Sequence, residues 1–199
     1  MIAPVTLDLE DADVTLYPGF FPPVVADRLL QELRESTMWR QEAIKMYGKA
    51  IPVPRLTAWH GDEGTGYKYS GIENLPQPWT AALREVKQAI EPLSGVTFNS
   101  VLANRYRTGR DSVSWHADDE AEFGPRPVIA SVSFGGTRVF QLRHKTMKGM
   151  NASIDLTHGS LLMMRGGTQE HWVHQVPKTS RAVAERLNLT FRVVVTRRE

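Results

Sequence analysis

The sequence predicts an α+β chain, with two N-terminal helices packed on a β core of the sandwich or jelly-roll type. Apolar residues recur at helical spacing in residues 24–39 and again from about Pro78. From Thr97 onward the chain breaks into short apolar segments separated by turns rich in Gly, Pro, Asp or Lys, as an all-β core requires. The length of 199 residues favours one domain, and 41% hydrophobic with 23% charged residues suits a folded one.

The elements follow in order. Pro18, Pro22 and Pro23 punctuate the start, and VVADRLLQELRESTMW then places Leu29, Leu30 and Leu33 on one helical face. Residues 40–72, rich in Gly, Tyr, Trp and Pro, read as strands and turns. A second helix carries Trp79, Leu83, Val86 and Ile90 on one face and is ended by Pro92 and Gly95. The β segments are VTFNSVLANRY, VIASVSF, TRVFQLRH, SIDL, GSLLMMR, HWVHQV and LNLTFRVVV.

Composition excludes several classes of function. Cysteine is absent, which removes disulfides, thiolate metal sites and thiol nucleophiles, so any metal is held by His and carboxylates. No run of about 18 apolar residues offers a membrane span. Residues 1–13 are acidic and too weakly hydrophobic for a signal peptide, so a cytoplasmic protein is expected. The net charge of +2 hides an asymmetry: residues 1–99 carry 9 basic and 13 acidic side chains, residues 100–199 carry 15 and 9. The second half is where an anion is expected.

Three features there carry chemistry. In Ser114-Trp115-His116-Ala117-Asp118, an extended backbone would turn His116 and Asp118 to one side, where both can hold one metal ion. A chance His-x-Asp is unremarkable, but His171-Trp172-Val173-His174 supplies a second histidine. Three residues apart on a strand, His171 and His174 face opposite ways, so only one can join; His144 and His158 are rivals on composition. Two His and one carboxylate form the facial triad of non-haem iron oxygenases. The third feature is the strict alternation of Arg186, Asn188, Thr190 and Arg192 with Leu187, Leu189, Phe191, Val193 and Val195. Inward-facing arginines in a closed sandwich demand an anion, and the guanidinium fork suits a carboxylate. Asn104 and Tyr106 share a face by the same logic.

With these residues in place, the chain resembles the AlkB family of Fe(II)/2-oxoglutarate-dependent dioxygenases from about Ile51 to Arg197. The stretches that carry the likeness are VLANRYRTGRDSVSWHADDE, PVIASVSFG, HGSLLMM, HWVHQVP and RLNLTFR, and the members most resembled repair double-stranded DNA. The resemblance implies a double-stranded β-helix (jelly-roll) catalytic core over 96–199. Residues 1–95 would supply the N-terminal helices and a nucleotide-recognition lid, all in a single domain. It makes His116, Asp118 and His174 the iron ligands, His174 because the family's distal histidine precedes a short x-x-Pro, here Gln175-Val176-Pro177. It makes Arg186 the clamp on the distal carboxylate of 2-oxoglutarate and Arg192 the arginine nearer the metal. Asn104, Tyr106, Asn188 and Thr190 complete the cosubstrate's surroundings. With Fe(II), 2-oxoglutarate and O2, the implied reaction is oxidative demethylation of N-alkylated bases in DNA. Formaldehyde is released and 2-oxoglutarate is decarboxylated to succinate.

The resemblance also implies the substrate side, since a base buried in a duplex must be flipped out or met in a single strand. The lid covers 46–71, with Arg55 of its Pro-Arg pair, and Tyr67 and Tyr69 near the base pocket. Asp119 and Glu120 follow the metal motif, where an acidic residue approaches the damaged base. Met46 or Tyr47, at a hairpin tip, would act as a wedge. Arg143 and Lys145, in a basic loop with His144 and Lys148, would grip the opposite strand. Nucleic acid is thus the expected partner, with neither membrane nor protein partner implied. The alternatives are the same chemistry on RNA or single-stranded DNA, a protein- or lipid-directed oxygenase, and an inert binding module.

Overall fold

The computed structural model describes residues 2–46, 49–69 and 72–195. The first part of the chain forms β1 (Val5–Thr6), β2 (Asp13–Tyr17), α1 (Pro23–Ser36), β3 (Ala43–Met46), β4 (Lys49–Pro52), β5 (Leu56–Gly61), β6 (Tyr67–Tyr69), β7 (Ile72–Asn74) and α2 (Ala81–Ser94). The rest forms β8 (Ser100–Tyr106), β9 (Val113–His116), β10 (Ile129–Gly135), β11 (Arg138–His144), β12 (Asn151–Leu156), β13 (Ser160–Arg165), α3 (Thr168–His171), β14 (Trp172–Val176) and β15 (Arg186–Arg192). A seven-stranded sheet in the order β1-β2-β13-β10-β15-β8-β5 and a four-stranded sheet in the order β12-β11-β14-β9 are both antiparallel throughout. They are the two layers of a jelly roll.

Each helix forms for a local reason. Pro23 sits in the first turn of α1, where its missing N–H costs nothing, and Ala26, Leu29 and Leu33 form the buried face. In α2 the Thr80 hydroxyl accepts the Leu83 N–H, and Gly95 closes the helix in the left-handed conformation at φ 73°. Pro92 lies inside the last turn rather than ending the helix, so Gly95 alone is the stop. Trp79 precedes α2 and stacks on Phe191 with ring centroids 6.2 Å apart.

Both helices cover one face of the large sheet. Leu83, Val86 and Ile90 of α2 and Leu29 and Leu33 of α1 pack with Val101, Ala103, Ala130, Val132, Leu187, Leu189 and Phe191. The other face looks toward the small sheet across a second core of Ile129, Phe140, Leu142, Leu162, Met164 and Trp172. All seven residues of β15 are therefore buried, its leucines under the helices and its polar residues between the sheets. The strand stops at Arg192; Val193 still packs on the helix-side core, but Val195 is exposed, outside the expected alternation. Gly135, at φ +84°, allows the β10–β11 turn to press against the Glu185 carbonyl where a Cβ would collide. That contact lies at the entry to β15, and Gly135 pairs with Arg186.

The large sheet recruits β1, β2 and β5 from residues before 96. Of two small antiparallel pairs, β3–β4 and β6–β7, strands β4 and β6 fall within 46–71, the region expected to be the lid, while β3 ends at its first residue and β7 begins just after it. No helix among the described residues is long and apolar enough to cross a membrane.

Candidate active site

The two sheets leave a pocket between them. Its walls include Asn104 and Tyr106 of β8, Ser131 of β10, His116, Asp118 and His174, and Arg186, Asn188, Thr190 and Arg192 of β15, with Arg55 at one side. Residues from six separate stretches of sequence are thus brought together.

His116 and His174 face each other as a pair across β9 and β14, with ring centroids 4.3 Å apart. Between this pair and the next, Val113 and Val176, the register slips; three steps on β9 match two on β14. This irregularity lets both Val113 and His116 reach the pocket. Asp118 lies beyond the end of β9, so a turn, not strand alternation, brings it beside the histidines. His171 is set aside for a different reason from the expected one: it ends the short helix α3 rather than facing outward from a strand.

The donor atoms of His116, Asp118 and His174 lie within 4.8 Å of one another. Arg192 donates to Asp118 Oδ1 at 2.6 Å, whereas the buried Oδ2 has no hydrogen-bond partner and lies 3.9 Å from His174 Nε2. Burial pushes the His174 imidazolium down to about 3, helped by the neighbouring His116, so the ring is neutral. Burial likewise lowers His116 against the pull of Asp118. For Asp118 burial favours the neutral acid, but Arg192 and the two histidines outweigh it and hold the carboxyl below its ordinary range. Two neutral imidazoles and a carboxylate with an orphaned oxygen suit a ferrous ion.

Hydrogen bonding at Nδ1 separates the histidines by tautomer. His116 Nδ1 lies 2.7 Å from the Ser114 carbonyl, so it carries the proton and leaves the Nε2 lone pair free for a metal. In His144, Nδ1 accepts the backbone N–H groups of Thr146 and Met147 at 3.2 and 3.0 Å. In His158, Nδ1 accepts the Gly135 N–H at 2.8 Å. Both of these rings carry their proton on Nε2, pointed at Asp11 (3.5 Å) and Asp27 (3.3 Å) respectively. In this tautomer His144 has no free lone pair, so the compact cluster of Asp11, His144 and His171 is left one ligand short.

Arg186 is the second orphan. Its Nη2 donates to Ser133 Oγ at 2.9 Å, while the buried Nε and Nη1 have no hydrogen-bond partner. Burial lowers the guanidinium to about 10, still charged at neutral pH. The Tyr106 ring lies 5.1 Å from its carbon. Asn188 donates to Ser131 Oγ (2.8 Å) and receives the Thr190 hydroxyl at 3.2 Å. A buried fork with two free N–H groups, flanked by hydroxyls and amides, fits a carboxylate such as the distal end of 2-oxoglutarate.

The substrate-side residues are less concentrated. Arg55 is buried and donates to Asn104 Oδ1 at 2.6 Å, on the pocket wall. Burial, reinforced by the charge of Asp118, raises Glu120 above its ordinary value. Asp119 is exposed and takes Lys145 Nζ at 2.9 Å, so this lysine is already paired. Arg143 lies 4.4 Å over the Trp115 ring. Met46 ends β3, Tyr67 and Tyr69 fall in β6, and Tyr47 lies outside the described residues.

Sequence reasoning missed Ser131, Ser133 and Gln169. The serines had a signal: two polar residues two apart in the apolar strand VIASVSF mark a face that is not all core. Gln169 had none.

The 2OG-Fe(II) oxygenase superfamily pattern matches residues 13–192. Human alkB homolog 3, an alpha-ketoglutarate-dependent dioxygenase by name, is 44% identical over 190 residues, 91% of this chain and 66% of that protein. Human DNA oxidative demethylase ALKBH2 is 40% identical over 189 residues, 90% of this chain and 72% of that protein. The chain belongs to the AlkB family. An Arabidopsis thaliana ALKBH2 is 36% identical over 217 residues, 96% of this chain and 69% of its own length. Among solved structures, OsALKBH1 has a TM-score of 0.62 at 17% identity, covering 90% of this chain and 96% of its own. That likeness speaks to the fold alone and agrees with the two-sheet jelly roll. The chain spans just under two thirds of the length of the mammalian alkB homolog 3 relatives it matches.

Proposed function

We propose that this AlkB-family chain is an Fe(II)/2-oxoglutarate-dependent dioxygenase. Its proposed reaction removes methyl groups oxidatively from N-alkylated bases in DNA. The observation that carries this reading is the pairing, in one pocket, of a carboxylate oxygen without a partner beside two neutral imidazoles and a buried guanidinium with two unused N–H groups. One arrangement suits a ferrous ion, the other a dicarboxylate cosubstrate. The choice of DNA is supported by the name of the ALKBH2 relatives.

Iron, 2-oxoglutarate and O2 supply the oxidising chemistry, converting the cosubstrate to succinate and the methyl group to formaldehyde. The chain's residues provide position and polarity. His116, Asp118 and His174 hold the metal, and Arg192 keeps Asp118 ionised and oriented. Arg186 binds the distal carboxylate, with Tyr106 against its face and Ser133 fixing one nitrogen. Asn104, held by Arg55, and Asn188, held by Ser131, line the space between. Glu120, held toward the neutral form by burial, is the acidic residue proposed to meet the base. Tyr67 and Tyr69 are the proposed stacking partners of a flipped base, where stacking is worth about 1–3 kcal/mol.

A second reading moves the same chemistry to single strands or RNA. It is favoured by the commitment of Lys145 to Asp119 and of Arg143 to Trp115, which leaves the loop less cation to offer an opposite strand. The deciding experiment measures succinate and formaldehyde release with matched methylated and unmethylated oligonucleotides, single and double stranded, in DNA and RNA. Methyl-dependent release on duplex DNA supports the first reading. Release confined to single strands or RNA supports the second, and none with any oligonucleotide overturns both.

A further inference from the structure

We propose that Gln169, backed by Lys145, is the positioning residue of the metal carboxylate, an inference that rests on the metal site described above. Asp118 stands past the last ladder pair of β9, so no strand partner holds its main chain. A side chain takes that part. Gln169 Oε1 accepts the Asp118 N–H at 2.9 Å from a residue that is only 1% exposed. The other half of the amide is used as well, Nε2 donating to Met164 Sδ at 3.5 Å, so the side chain is held at both ends.

Gln169 is itself held by a platform. It lies in α3, where the Thr168 hydroxyl accepts the Asp13 N–H at 3.0 Å and donates to the Arg165 carbonyl at 2.6 Å. One residue beyond α3, the Trp172 indole donates to the Glu10 carbonyl at 2.9 Å. Lys145 closes the arrangement: its ammonium bonds the Gln169 carbonyl and Asp119 Oδ2, each at 2.9 Å. The turn carrying Asp118 is thus gripped at two successive residues by groups on the wall that continues into His174. Arg192 fixes one carboxylate oxygen from the opposite sheet. Gln169 fixes the main chain beneath it and Lys145 the neighbouring Asp119 carboxylate, while the other Asp118 oxygen faces His174.

Outer partners of metal ligands contribute about 10- to 100-fold to metal affinity. The test uses full-length protein without cosubstrate and follows Mn(II) binding by electron paramagnetic resonance, so no turnover is involved. Gln169→Met keeps the volume and removes the acceptor; it is expected to weaken Mn(II) binding by about 10- to 100-fold. Gln169→Glu offers a carboxyl oxygen to the same N–H and is expected to recover most of that loss. A change of volume or general loosening would not produce this recovery. Lys145→Met, at a partly exposed position, is expected to weaken binding to a smaller extent. His174→Ala, the control for the site itself, is expected to abolish it.

Wild-type affinity in folded Gln169→Met while His174→Ala fails overturns the positioning role, as does an equal loss in Gln169→Met and Gln169→Glu. If Gln169→Met does not fold, Lys145→Met decides in its place: weakened binding supports the role, wild-type binding overturns it. Wild-type affinity in His174→Ala would instead overturn the metal site.

Discussion

The charge state of a buried side chain depends on the partners it is given, and the pocket uses this repeatedly. His174 is kept neutral by burial, and His116 has its proton fixed on the nitrogen away from the pocket. His174→Ala should therefore abolish Fe(II) or Mn(II) binding, whereas His171→Ala should leave it near wild type, as direct metal titration will show. Arg186→Lys keeps the charge and loses the fork. The expected loss of about 1.5–3 kcal/mol corresponds to roughly 10- to 100-fold weaker 2-oxoglutarate binding. Calorimetry on the Mn(II)-loaded protein measures it, and unchanged affinity would remove the clamp. Away from the pocket, Asp111 bonds the Arg107 side chain and backbone, and these bonds outweigh its burial and depress its carboxyl below 3.8. The unfolded chain then takes up this proton first on acidification. The stabilisation is complete above the ordinary value and lost as pH falls through the folded one. Asp111→Asn should lower stability at neutral pH and flatten the acid branch of urea midpoints against pH.

At the scale of the element, β15 does two jobs on opposite faces. Leu187, Leu189 and Phe191 anchor it under the helices, while Arg186, Asn188, Thr190 and Arg192 present polar groups to the pocket. This alternation was legible in the sequence because strand periodicity is a local property. The position of Asp118 was not, because it depends on where β9 ends against β14. The β3–β4 pair closes at Met46 and Lys49, where the wedge is expected, and Tyr47 lies outside the described residues. A duplex substrate must cover a base-extrusion cost of a few kcal/mol that a single strand does not incur. Replacing Met46 and Tyr47 with Ala should reduce turnover of methylated duplex far more than that of the matching single strand, in parallel formaldehyde assays. Equal losses would leave the hairpin a purely structural part.

For the whole molecule, a metal and cosubstrate bound as proposed would cross-link the two sheets. His116, His174 and Asp118 belong to the small sheet and its extension, Arg186 and Arg192 to the large one. A ligand that binds only the folded chain adds stability by mass action, about 2.7 kcal/mol at a hundredfold excess over its dissociation constant. Mn(II) with 2-oxoglutarate should therefore raise the melting temperature by several degrees, and more than Mn(II) alone. In Arg186→Lys the increment from the cosubstrate should shrink while that from the metal remains. Melting curves over a ligand series measure both, and an undiminished increment would count against binding between the sheets.

What the sequence determined by itself was what short-range pattern can encode. That covers the helices at Leu29–Leu33 and Leu83–Ile90, the run of β segments after Thr97, the two-faced β15 and the metal-ligand residue types. Each follows from a period of 3.6 or 2 or from side-chain chemistry. The tertiary structure alone decided that His174 faces His116 in register and that His144 and His158 carry their protons on the wrong nitrogen for a metal. It also decided that β2 and β5 join the large sheet and that Gln169 reaches the main chain of Asp118. Apart from the short turn that fixes His144, these are contacts between residues tens of positions apart, or more, and no local period specifies any of them. They are settled by which strands pair, where a ladder ends, and which buried donor finds which acceptor when the two sheets close.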